Sequence, residues 1–167
     1  NTIVVVTSDN GASAEGALSG TYNEMAALNG RPATDAENMR FIDQWGGPET
    51  FPHYAVGWTV AGDTPLRYFK QTAHEGGIRV PLVIAWPKGI KARNELRNQY
   101  VHVTDVAPTL MDLAGVPLAE TVNNVKQAPM EGTSFRYSLA NKKAPDIKTA
   151  QYTELWGNKA LWSKNWS

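Results

Sequence analysis

The run Thr-Ile-Val-Val-Val-Thr at residues 2–7 constrains this chain more than any other feature. β-Branched side chains pack well on a pleated surface and lose rotamer freedom in a helix. Here apolar residues follow one another without alternating, so the run is expected as a strand covered on both faces, as in a parallel α/β sheet. It stops at the polar turn Ser8-Asp9-Asn10-Gly11. Residues 81–86, closed by Pro87-Lys88-Gly89, read as a second buried strand. Between the two, residues 12–64 show no sustained period and contain the breakers Gly46-Gly47-Pro48 and Phe51-Pro52. Mostly loop is expected there, with one or two short helices, one of them around residues 35–42. A loop of that length inside a domain generally serves a function or covers something.

The clearest helical signal follows. Asp105 can cap a helix, Pro108 falls at its third position where a missing N–H costs nothing, and Gly115 ends it. Val106, Leu110 and Leu113, with Ala107 and Ala114, form one apolar stripe. A shorter helix is expected over residues 131–140. Residues 151–155 and 160–162 flank Gly157-Asn158 and read as a β-hairpin. The fold class is therefore α/β: the edge of an α/β sheet and long loops over residues 1–90, then a small C-terminal α+β subdomain with an antiparallel hairpin over residues 91–167.

Composition narrows the function classes. Sixteen basic and sixteen acidic residues give zero net charge, so no nucleic-acid partner is expected, and the basic residues at 88–97 read as solvated surface. Cysteine is absent, which excludes disulfides, thiolate metal sites and a cysteine nucleophile within this sequence. Three histidines leave little room for a histidine-rich zinc cage. The apolar runs are too short to span a bilayer. Residue 1 is Asn and leads directly into a strand-like run, so the chain is expected to be a piece of a longer one, with any localisation signal elsewhere.

Asp9 and Asn10 follow the carboxyl end of the first strand, where open α/β sheets bind ligands. A carboxylate beside an amide carbonyl offers hard oxygen donors, which suit calcium or magnesium better than zinc. Against that, Asn-Gly is also a common turn pair. Lys70 is a compact point charge able to hold one oxygen of a sulfate or phosphate, or simply an exposed lysine before a loop. His74 and Glu75 read either as an acid–base pair or as a buried, hydrogen-bonded support for a turn. The six tryptophans are scattered at 45, 58, 86, 156, 162 and 166, which favours packing over sugar stacking.

Taken in order, these segments resemble the type I sulfatases, especially the bacterial arylsulfatase branch of the alkaline-phosphatase-like superfamily. The opening strand ends in Asp9-Asn10-Gly11. Asp63-Thr64-Pro65-Leu66-Arg67-Tyr68-Phe69-Lys70 is similar to the family's approach to a lysine. His74-Glu75-Gly76-Gly77-Ile78-Arg79-Val80-Pro81-Leu82 resembles its Glu-Gly-Gly-Ile segment, Asp105-Val106-Ala107-Pro108-Thr109 its Asp-Ile-Ala-Pro-Thr helix, and residues 151–159 its C-terminal hairpin.

The resemblance implies an alkaline-phosphatase-like sheet and calcium-dependent hydrolysis of a small-molecule or glycan sulfate ester by a formylglycine hydrate. It makes Asp9 and Asn10 metal ligands and Lys70 the catalytic, sulfate-binding cation; the place of His74 is variable in the family and carries no role. The formylglycine arises from a Cys/Ser-x-Pro-x-Arg motif. Here the nearest match is Asp63-Thr64-Pro65-Leu66-Arg67, and Asp cannot be oxidised to an aldehyde. The nucleophile and remaining metal ligands are thus expected in an upstream half of the same polypeptide, the isolated chain is expected to be inactive, and a periplasmic or extracytoplasmic location is expected rather than a cytoplasmic one. A phosphoester hydrolase or mutase of the same superfamily and a non-catalytic sugar-binding module remain as alternatives.

Overall fold

The computed structural model describes residues 2–91 and 94–164. Its elements, in order, are β1 (Val4–Thr7), α1 (Glu24–Leu28), α2 (Asp35–Arg40), α3 (Val56–Asp63), α4 (Glu75–Ile78), β2 (Leu82–Ala85), α5 (Val106–Ala114), β3 (Thr121–Val122), β4 (Val125–Lys126), α6 (Arg136–Ala140), β5 (Ala150–Leu155) and β6 (Asn158–Ser163). The strands pair as β1 with β2, β3 with β4 and β5 with β6. Both expected strand runs are present, but they are not covered on both faces: Val4 is 50%, Val6 60% and Val83 58% exposed. Among the described residues each has one partner strand and no layer closing over its apolar face.

The chain divides into two units. One comprises Val6–Val83 with Thr153–Ala160; the other comprises Ile84–Tyr152 and the described residues before Val6 and after Ala160. In the first, α2 begins at a complete capping box. The Thr34 hydroxyl accepts the Glu37 N–H, and the Glu37 carboxylate accepts the Thr34 N–H. The helix ends at Arg40, two residues short of the expected span, and Phe41 stacks on Tyr22 at 4.2 Å. Asn38, buried on the same helix, accepts the Tyr22 N–H and donates to the Gly20 carbonyl. Helix α3 lies in a stretch with no helical period, because its inward face is polar: Thr59, fully buried, and Asp63 one turn later.

The second unit is organised around Asp105. Its carboxylate is 2% exposed and accepts N–H bonds from His102 and Thr133 at 2.8 Å. The Lys148 ammonium lies 3.0 Å from both oxygens. Asp105 does stand at the N-cap of α5, but its side chain makes no capping bond to that helix; it caps the short 3-10 turn Val103–Asp105 in front of it. Pro108 and Gly115 fall where expected, Gly115 with φ +69° as the left-handed C-cap. The most buried residue of α5 is not one of the apolar stripe but Thr109, which donates to the Asp105 carbonyl and accepts the Phe135 N–H. Residues 131–135 are therefore not helical: the Thr133 and Phe135 donors are spent on Asp105 and Thr109, and α6 starts only at Arg136. Arg97 is likewise not free surface. Its guanidinium donates to the Ser138 and Leu139 carbonyls at the end of α6, a favourable place for a cation.

The C-terminal hairpin has longer arms than expected, and its turn is centred on Trp156-Gly157 rather than Gly157-Asn158. Both central residues have positive φ, +51° and +85°, so Asn158 already belongs to β6. Trp162 stacks on Tyr100 at 3.8 Å.

The Asp105 network generates a stability prediction. Asp105→Ala would leave Lys148 charged and largely buried, and orphan two N–H donors, a loss of roughly 3–5 kcal/mol for a broken buried pair. Urea denaturation of the protein should show it as a lowered midpoint, whereas Asp112→Ala, which removes the exposed pair with Arg136, should move the midpoint far less. Equal shifts would mean that Asp105 does not organise this unit.

Candidate active site

Segment 8–15 and segment 63–78 meet through their backbones. The Gly11 N–H donates to the Gly77 carbonyl at 3.0 Å and the Lys70 N–H donates to the Ala12 carbonyl at 2.9 Å. A methyl group on Gly11 would fall on the Gly76 carbonyl oxygen, so only glycine allows this approach. Helix α3 clamps the same segment from another side. Asp63 Oδ1 accepts the Ala12 N–H at 3.1 Å, and the Thr59 hydroxyl donates to the Ser13 carbonyl at 2.6 Å. Asp63, the residue standing where a nucleophile motif would begin, thus holds backbone.

This clamp brings Asn10 and Lys70 into one cavity of about 430 Å³, together with Glu15, Gln71, Ile78 and the hairpin residues Thr153–Trp156. The Lys70 ammonium donates to Glu15 Oε2 at 2.8 Å, and Gln71 donates to Glu15 Oε1 at 3.0 Å. The Ser13 hydroxyl also bonds Oε2. The Lys70 bond, then the Ser13 bond, hold the Glu15 carboxyl below the ordinary carboxylate range. The bond to Glu15 in turn raises Lys70 above the ordinary lysine range, with a further contribution from the negative charge of Asp9. A depressed acid and an elevated base keep the pair charged from below the usual carboxylate pKa to above the usual lysine pKa, so neutral pH lies well inside its range.

Asn10 donates its amide N–H to the Gly11 carbonyl at 2.8 Å, which leaves its side-chain carbonyl oxygen available. Asp9 is exposed, and no group among the described residues hydrogen-bonds its carboxylate. Two adjacent hard oxygen donors not committed to protein partners fit a divalent cation such as calcium. Glu15, Glu24 and His53 also converge, with ligand atoms within 4.8 Å of one another. Both oxygens of Glu15 are already engaged by Lys70 and Gln71.

Other sequence readings resolve differently. His74 is exposed, makes no capping bond with its side chain, and stacks on Tyr68 at 4.6 Å, while Glu75 pairs with Arg79 across one helical turn. They neither face each other as acid and base nor form a buried support. The tryptophans do not all pack inward: Trp58 is 72% and Trp156 78% exposed. Trp166 lies outside the described residues. Glu15 was not recoverable from sequence, because it sits far from Lys70 along the chain within a run of small residues.

Known proteins share these segments. The sequence matches the family model described as Sulfatase over residues 1–116. It is 33% identical to an uncharacterised sulfatase of Schizosaccharomyces pombe over 117 residues, which is 70% of this chain and 20% of that protein. It is 32% identical to an ulvan-active sulfatase of Formosa agariphila over 116 residues, again 70% of this chain and 20% of the relative. With an arylsulfatase of Klebsiella aerogenes it shares 30% identity over 136 residues, 81% of this chain and 27% of that enzyme. The chain thus spans about a fifth to a quarter of the length of these relatives. Its mixed helices and strands with antiparallel hairpins fit an α/β sulfatase domain. The match across residues 1–116, with the Asp9-Asn10-Gly11 turn and Lys70 inside it, establishes that this chain belongs to the sulfatase family.

Proposed function

We propose that this chain forms the C-terminal part of a sulfuric ester hydrolase, contributing calcium ligands and a sulfate-holding cation to an active site completed by an upstream half of the same polypeptide. The observation that carries the reading is the shared cavity: Lys70 is positioned through its own N–H and ion-paired to Glu15, beside the available carbonyl of Asn10. Asp9 and Asn10 would hold calcium. They supply only a few of the about six to eight oxygens it takes, so affinity in the chain alone is expected to be weak. A bound calcium and an upstream formylglycine would supply Lewis acidity and the nucleophile.

The chain's own residues do the rest. Lys70 gives one oxygen of the sulfate group a fixed positive partner at a place where charge is held during cleavage. Glu15 keeps the ammonium protonated and aimed. The exposed apolar faces of β1 and β2 support an upstream half that completes an alkaline-phosphatase-like sheet. No helix among the described residues is long and apolar enough to cross a membrane. The free Asp9-Asn10 oxygen pair, of the hard donor type that calcium takes, supports the sulfate-ester reading over the phosphate-ester one.

In the complete polypeptide, Lys70→Ala should lower kcat/KM for an aryl sulfate by about thirty- to thousand-fold, or roughly 2–4 kcal/mol, as expected for one preorganised partner. Lys88→Ala, at an exposed turn, controls for general loss of positive charge and should leave the rate within about twofold. Near-normal turnover by a folded Lys70→Ala protein would reduce Lys70 to a surface lysine. The pH profile offers a separate check. Because Glu15 is the main cause of the elevated Lys70 pKa, Glu15→Gln should move the alkaline limb of kcat/KM to lower pH. A limb that stays in place would show that Lys70 is not the group being titrated.

A further inference from the structure

Trp156 is placed where a folding chain has little reason to put a tryptophan. It occupies the first central position of the two-residue turn between β5 and β6, with φ +51°. Bulky side chains are disfavoured in the left-handed region, and the residues suited to such a turn are Asn, Asp and Gly. Trp156 is 78% exposed in this chain. The strained backbone position points to a task outside packing.

The surroundings say what the task is. The turn is held firmly: the Gly157 N–H donates to Glu154 Oε1 at 2.8 Å. Trp156 and its neighbours Thr153, Glu154 and Leu155 line the cavity that contains Lys70 and Asn10. The volume of about 430 Å³ suits a small molecule. One part of its lining is polar, with Lys70 paired to Glu15, Asn10, Gln71 and Glu154; another is apolar, with Ile78, Leu155 and the indole. With the sulfate held by Lys70, the apolar part of the lining suits a flat, weakly polar body.

We propose that Trp156 is the stacking wall for the alcohol portion of the ester, holding the face of an aryl ring or the C–H face of a sugar ring while Lys70 holds the sulfate. This rests on the sulfate-ester reading of Lys70 given above. Trp156 acts on substrate binding and not on the bond that breaks, so its effect falls on KM or Kd and spares kcat.

The test compares wild type, Trp156→Ala and Trp156→Phe in the complete enzyme on 4-nitrophenyl sulfate, a monosulfated monosaccharide and methyl sulfate, which has no ring. Trp156→Ala should raise KM about tenfold on a ring-bearing ester with kcat within about twofold, Trp156→Phe should recover most of the loss, and methyl sulfate should be unaffected. Whichever ring ester responds identifies the ring. An unchanged KM on both, or an equal rise on methyl sulfate, overturns the proposal. Calorimetric Kd values for the same ring esters separate it from the hydrolase reading. Weaker binding by Trp156→Ala without turnover by any variant would sustain the stacking wall and sink the hydrolase. Turnover with Kd independent of Trp156 would do the reverse.

Discussion

Where Gly11 meets Gly76 and Gly77, two stretches of backbone approach until no side chain fits between them. A hydrogen bond from Gly11 to Gly77 and another from Lys70 to Ala12 close the contact from both ends. Everything assigned to the site depends on it. Asn10 immediately precedes the contact, Lys70 is held by its own N–H at the other end, and Glu15 reaches the ammonium from just beyond. The contact is also why α3 presents Thr59 and Asp63 inward in place of apolar side chains. The segment it must clamp offers a bare N–H and a bare carbonyl, and buried backbone groups require partners.

The same use of polar groups in place of oil recurs in the other unit, where Asp105, Thr109 and Ser138 are the most buried side chains and Phe135 is the buried apolar residue among those described. An ion pair and a set of backbone bonds specify geometry well but add little net stability over a well-packed apolar core. Meanwhile large apolar side chains remain exposed, Val4, Val6 and Val83 among them. On the proposed reading these faces are the floor on which the upstream half packs.

How much was legible beforehand follows the same physics. The strands at Val4–Thr7 and Leu82–Ala85, the helix at Val106–Ala114 and the hairpin were readable because periodicity, β-branching and a left-handed glycine act locally. Helix α3 and the late start of α6 were not, since both are decided by hydrogen bonds to distant segments. The turn at Asn123-Asn124, with both φ values positive, also has a local signal, since Asn tolerates the left-handed region. At the site, Asp9 and Asn10 are legible from their place after a strand and their donor chemistry, and Lys70 from its compact charge, with the resemblance supplying their roles; Glu15, which pairs with Lys70, and the place of Trp156 at the same cavity are visible only in three dimensions.

The central claim is that a side-chain-free backbone contact assembles the site, and one substitution addresses it. Gly11→Ala adds a single methyl group, bears no charge, and leaves the side chains of Lys70, Asp9 and Asn10 unaltered. Gly57→Ala is its control, in a helix with open space around the added carbon. Measured on an aryl sulfate in the complete polypeptide, Gly11→Ala should lower kcat/KM by about a hundredfold, the cost of a displacement of about 1 Å at a catalytic group. Gly57→Ala should match wild type. Wild-type turnover from a folded Gly11→Ala protein would contradict the account, because Asn10 and Lys70 would then be held together by something other than this contact.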